Sequence, residues 1–142
     1  MSEQNKEVVR KIEAAWGSER LEELDQYFAP EFNNAQSATP GLPAGLEGSK
    51  MAHQGVMQAF PDRRIEILDL VAEGDSVAVR ARVTGSNKGG FPALGVGPNG
   101  RPFEIESWSI YRFRDGKVVE HVGLNDGLTL AMQIGAIPAP TG

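Results

Sequence analysis

Three side chains in this sequence have the types and settings for chemistry: Asp126, His53 and His121. Asp126 lies within RFRDGKVVEHVGLNDGLTLAMQIG, residues 112–135, which reads as a strand, a tight Asp-Gly turn, a second strand and a short closing helix. At a strand-to-helix junction among Val122, Leu124, Leu128 and Leu130, a carboxylate has two readings. As a helix cap it accepts from backbone N–H groups one turn on. As an acid/base in an apolar pocket its charged form is disfavoured, its pKa rises, and it can both take and return a proton. The two readings predict opposite pKa shifts.

His53 sits at the edge of the apolar arc Ala52, Val56, Ala59 and Phe60, with Met57 beside it. It is read as a half-buried, hydrogen-bonded histidine that can also line a pocket. Strict alternation along the last strand puts Val118, Glu120, Val122, Leu124 and Asp126 on one face and His121 on the other. If Asp126 faces inward, His121 is expected at the surface or an interface, unless a bulge intervenes. Two histidines without an acidic cluster give no metal site.

These residues need a scaffold. The 142 residues suit one domain, residues 1–142. Hydrophobic residues make up 40%, charged residues 23%, and the net charge is −5. With dispersed arginines, that charge argues against nucleic acid as a partner. The absence of cysteine excludes disulfides and thiolate chemistry. A polar N-terminus and the lack of a long apolar run make a soluble cytoplasmic protein the expectation, with no membrane partner.

Apolar spacing predicts a helix over residues 3–16, a second over 21–28 stopped before Pro30, a loop over 31–48, and a third helix from a Ser49 cap to Phe60. After Pro61 the period becomes two. Strands are expected from Ile65, from Val77, from Phe103 to Phe113 and from Lys117 to about Leu124, with turns at Glu73-Gly74-Asp75 and Asp115-Gly116. On the long strand Phe103, Ile105, Ser107, Ser109, Tyr111 and Phe113 share one face. Glu104, Glu106, Trp108, Ile110 and Arg112 share the other, which suits a subunit interface on the outer sheet face. The order is α+β: a curved, mostly antiparallel sheet that can curl into a cone-shaped barrel, with about three N-terminal helices on its concave face and a cavity inside. Trp16, Tyr27, Phe28, Phe32, Phe91 and Phe103 are the aromatics that can line it.

Gly95-Val96-Gly97-Pro98-Asn99-Gly100 matches G-x-G-x-x-G literally. The dinucleotide reading requires a helix to follow, and FEIESWSIYRF is a strand pattern. The motif is turn chemistry, and no nucleotide cofactor is expected.

FPD at 60–62, EGDSVAVR at 73–80, GSNKGGF at 85–91, and RFRDGKVVEHVGLND followed by QIGAIP keep an order and spacing that resemble the SnoaL-like polyketide cyclases, of the nuclear-transport-factor-2-like cone folds. The resemblance implies a cofactor-independent, metal-free enzyme in which Asp126 is the acid/base, closing a ring by an intramolecular aldol-type step in a small apolar or aromatic molecule. With the residue reading, the expected pocket is Trp16, Tyr27, His53, Met57, Phe60, Asn87, Phe91, Ser109 and Val122, and a homodimer or higher homo-oligomer is expected through the outer sheet face. Val122 stands where the family has Trp, Asn87 where many relatives have His, and Ser109 where many have His or another polar residue. Isomerisation, epoxide opening, cofactor-free hydroxylation and simple binding of an apolar ligand are the alternatives on the same fold.

Overall fold

The computed structural model describes residues 2–33 and 41–140. Helix α1 (Ser2–Trp16) buries Val9, Ile12 and Ala15, and Gly17 ends it by donating its N–H to the Glu13 carbonyl at 3.0 Å. A short 3-10 turn, Leu21–Gln26, leads into strand β1 (Phe28–Asn33). Helix α2 is Leu46–Ala59. Then come strands β2 (Arg64–Glu73), β3 (Ser76–Ser86), β4 (Pro102–Arg114) and β5 (Lys117–Asn125), and helix α3 (Gly127–Gln133).

The five strands form one sheet in the order β1-β5-β4-β3-β2. All pairs are antiparallel except β1 with β5. The α+β class and the mostly antiparallel sheet agree with the sequence reading, and the sheet is open rather than closed into a barrel. Two details differ. The second expected helix is only a 3-10 turn, and its last aromatic, Phe28, opens β1 instead. Ser49 does not cap α2: the helix begins three residues earlier, after Gly45 in the left-handed region (φ 82°). The expected loop partly falls on residues 34–40, outside the described residues.

The β4–β5 turn needs both central residues at positive φ, and Asp115 (52°) and Gly116 (77°) supply them. The inner face of the sheet carries two apolar clusters. One joins Val9, Ile12 and Leu24 to Val77, Val79, Tyr111, Phe113 and Val118. The other joins Ala59, Phe60, Val83, Phe103, Ile105 and Ile134. Each large side chain fully buried in them contributes about 1.5–3 kcal/mol of transfer free energy.

On the outer face Arg80 binds Glu106 through two hydrogen bonds, 2.6 and 2.9 Å, and reaches Asp69 at 2.8 Å. Trp108, 58% exposed, lies under the Arg80 guanidinium at 5.8 Å. Among the described residues, no helix is long and apolar enough to cross a membrane.

Candidate active site

Between the two clusters lies a cavity of about 340 Å³. Its walls are apolar over much of their area: Ala52, Val56, Phe60, Ile65, Val83, Phe91, Phe103, Ile105 and Leu130. Its polar lining comes from four elements. Helix α1 gives Glu13 and Trp16, α2 gives Ser49 and His53, β4 gives Ser107, Ser109 and Tyr111, and β5 gives His121 and Asn125. Arg63 enters just before β2. A more open hollow of about 1060 Å³ runs past Asp62, Arg64, Thr84, Arg101 and Glu104. Those charged groups are solvent-exposed, and the deeper cavity is the candidate site.

The inward set on β5 depends on one irregularity. Opposite the step Arg112–Phe113 on β4, β5 advances two residues, from Glu120 to Val118. Val119 is the extra residue of a β-bulge, and the bulge reverses the alternation beyond it. Val118 points inward and is fully buried, and His121, Gly123 and Asn125 face the cavity. Glu120 and Val122 point outward, Glu120 toward Arg112 at 3.7 Å. His121 therefore stacks on Tyr111 inside the cone, ring centroids 4.5 Å apart, rather than standing at the surface. Val122, expected to line the pocket, pairs with Ile110 and is not among the lining residues.

Asp126 lies one residue past the end of β5. Its Oδ1 accepts the Thr129 N–H at 3.1 Å and its Oδ2 the Thr129 hydroxyl at 2.6 Å, which makes it the N-cap of α3. It is exposed and absent from the cavity lining. The Thr129 hydrogen bonds hold its carboxyl below the usual carboxylate range, the direction expected of a cap and not of a carboxylate in an apolar pocket.

The carboxylate that does meet apolar surroundings is Glu13, 9% exposed. Burial raises its pKa, opposed by the Tyr111 hydroxyl, which donates to Oε1 at 2.9 Å, and by the Arg63 charge. Tyr111 is itself fully buried, and burial pushes its phenol up, reinforced by Glu13. His121 is brought down to about 4 by burial, so its imidazole is neutral at neutral pH. Its Nε2 has no hydrogen-bond partner among the described residues. The missing side chain of Gly123 lets Ser109 and His121 come close together beside it. A Cβ at 123 would lie 3.0 Å from Ser109 Oγ and 3.2 Å from His121 Cε1.

On the other wall, His53 packs on Trp16, ring centroids 4.6 Å apart. The Trp16 carbonyl receives the Arg63 guanidinium and the His53 Nε2–H together, using both lone pairs. Burial, with the Arg63 charge adding to it, brings His53 to about 4. Burial lowers Arg63 to about 10, which leaves it a cation.

Of the expected pocket residues, Trp16, His53, Phe60, Phe91 and Ser109 line the cavity. Tyr27 packs on the first core cluster, and Met57 lies on α2 outside the lining. Asn87 is fully buried but is used up in the glycine loop. Its Nδ2 donates to the Gly97 carbonyl (2.9 Å) and Asn99 Oδ1 (3.0 Å), and its Oδ1 accepts from Gly90 N–H (3.0 Å). Glu13 and Arg63 were not anticipated. The signal existed: Val9, Glu13 and Trp16 fall on one helical stripe, and Arg63 is in phase with Ile65 and Ile67. Among the described residues, no group of three or more His, Cys, Asp or Glu is placed to hold a metal ion.

The sequence model of the SnoaL-like polyketide cyclases matches residues 6–134. The chain belongs to that family. Among solved structures, AclR from Streptomyces galilaeus, a candidate hydroxylase, is 27% identical, with a TM-score of 0.84 over 99% of this chain and 87% of its own. TsrD from Streptomyces laurentii is 27% identical, with a TM-score of 0.82 over 94% of this chain and 96% of its own. IdmH from Streptomyces antibioticus, a candidate polyketide cyclase, is 32% identical, with a TM-score of 0.79 over 93% of this chain and 99% of its own. No curated protein matches with significance. The family frame fits the open α+β architecture.

Proposed function

We propose that this SnoaL-like protein is a cofactor-independent enzyme of the cyclase type, and that Glu13, rather than Asp126, moves the proton. The observation that carries the reading is the buried Glu13 carboxyl in the cavity wall, raised by burial and steadied by the Tyr111 hydroxyl at 2.9 Å. Glu13 takes a proton from a carbon next to a substrate carbonyl. The enolate's carbon attacks a second carbonyl of the same molecule, forming the C–C bond, and the new alkoxide recovers the proton from Glu13. Atoms and electrons balance within substrate and side chain, so the step calls for no redox partner. The neutral His121 edge and Ser109 Oγ are suited to hydrogen-bond the carbonyl under attack, since both residues line the cavity side by side next to Gly123. A positioned acid/base contributes about 10²–10⁴-fold, and folding the substrate inside the cavity contributes the proximity term.

The test is proton exchange at the α-carbon of an aromatic 1,3-diketone in D₂O, followed by NMR. Glu13→Gln keeps the shape and the acceptor for Tyr111 but removes the acid/base. Exchange should fall at least about a hundredfold. Glu13→Gln at the wild-type rate would refute the assignment. Likeness to AclR favours a second reading, oxygenation of the same enolate carbon, in which molecular oxygen is the oxidant and adds to give a hydroperoxide. Product mass separates the two, since ring closure adds no oxygen.

A further inference from the structure

Arg63 is a half-buried cation whose Nε donor is left without a partner among the described residues. Its Nη2 is held by the Trp16 carbonyl, against His53. Its Nε is buried and has no hydrogen-bond partner among the described residues. No carboxylate among them lies within ion-pair distance: Glu13 acts on Arg63 through space but spends its Oε1 on Tyr111. A half-buried guanidinium without a bonded anion is costly, and an oxyanion arriving in the cavity relieves that cost. The other ionisable groups lining the cavity are Glu13, whose Oε1 is taken by the Tyr111 hydroxyl, Tyr111 itself and the two histidines. The unpartnered cationic donor at the cavity is therefore Arg63 Nε.

We infer that Arg63 is the oxyanion-binding residue of this cavity, and that the ligand is a planar, largely apolar molecule bearing a delocalised oxyanion, either a carboxylate or the enolate of a 1,3-dicarbonyl. The guanidinium is pre-held by the Trp16 carbonyl and lies against His53, so little side-chain freedom is lost when the anion binds. The proposal deepens the cyclase reading, since the enolate formed by Glu13 would be such an anion. It does not need turnover to be tested.

Isothermal titration calorimetry at neutral pH with 2-naphthoate, its neutral isostere 2-naphthamide, and an acidic aromatic 1,3-diketone separates the sources. Wild type should bind naphthoate at least about tenfold more tightly than naphthamide. Arg63→Gln should abolish that ratio, and Arg63→Lys should keep part of it, because charge without the planar fork remains. Glu13→Gln, which removes the opposing carboxylate, should tighten naphthoate binding or leave it unchanged. A diketone bound in preference to naphthoate assigns the enolate as the source, and the reverse assigns the carboxylate. Equal affinity of wild type for naphthoate and naphthamide overturns the proposal. So does a folded Arg63→Gln that retains the ratio, or a Glu13→Gln that binds naphthoate more weakly. If Glu13→Gln loses no proton exchange while the charge ratio depends on Arg63, only the acid/base assignment falls.

Discussion

Acid should unfold this protein through its two histidines, and the size of the effect can be worked out. The chain contains only His53 and His121. Both are brought from the ordinary 6.5 to about 4 by burial. The native state then holds fewer protons than the unfolded state between those values. Stability is full above 6.5 and is lost as pH falls toward 4. At about 1.4 kcal/mol per pH unit for a full proton difference, each histidine should remove about 2 kcal/mol between pH 7 and pH 5. Glu13 acts the other way: its raised value means stability is lost as pH rises above 4.5, so it masks part of the slope. His121→Phe removes one histidine, keeps a ring on Tyr111 and leaves Glu13 in both proteins. Urea unfolding of the two at half-unit steps from pH 7 to pH 5 isolates the term. The difference in stability should change by about 2 kcal/mol across the range, and the imidazole C–H resonances of the native wild type should not titrate above pH 5. A variant with the wild-type pH slope, or a native His121 that titrates near 6.5, would refute the placement of this ring inside the cone.

Asp126→Asn keeps a side chain well suited to capping, so melting temperature and α-proton exchange should both stay near wild type. A hundredfold loss of exchange in a folded protein would return the proton to Asp126. The exchange rate should rise with pH through a value above the ordinary 4.5 of a glutamate, because burial raises Glu13 and its ionised form is the base; a pH profile at saturating diketone checks this. Gly123→Ala puts a methyl 3.0 Å from Ser109 Oγ, so KM for the diketone should rise severalfold, and adding Ser109→Ala should restore part of it. Two other glycines should respond with opposite signs in thermal melts. Gly89→Ala would set a Cβ 1.8 Å from the Gln58 carbonyl oxygen and should cost about 1–3 kcal/mol. Gly55→Ala, on α2 with nothing within 4 Å, should gain about 0.5–1 kcal/mol.

Helix α1, the Asp115-Gly116 hairpin and both faces of β4 were legible in the sequence because each follows from local periodicity or turn chemistry. Strand β1 was not. FAPEFN carries a proline and no alternation, and it exists because residues 28–33 pair in parallel with β5, some ninety positions away. The cavity's wall from Trp16, His53, Phe60, Phe91 and Ser109 was readable for the same local reasons. Its floor was not, because the bulge at Val119 has no glycine or proline to announce it, and it reverses every residue that follows. The apolar setting read for Asp126 differs for a related reason, since the structure makes it an exposed N-cap. The physics expected of it, a carboxyl raised by apolar neighbours, is realised in the cavity by Glu13, a charge on an otherwise apolar helical stripe.

That bulge also sets which kinds of genetic change can rewrite the cavity. Substitutions alter His121, Gly123 or Asn125 one at a time. Deleting Val119, a loss of three nucleotides, would let Glu120 follow Val118 directly, so the strand would alternate without a bulge and His121, Gly123 and Asn125 would still face inward. In a strand without a bulge, the same loss would turn every later side chain to the opposite face. The bulge therefore lets this strand lose one residue and keep its cavity set, and variation in ligand chemistry among such chains can be sought in point substitutions at these positions.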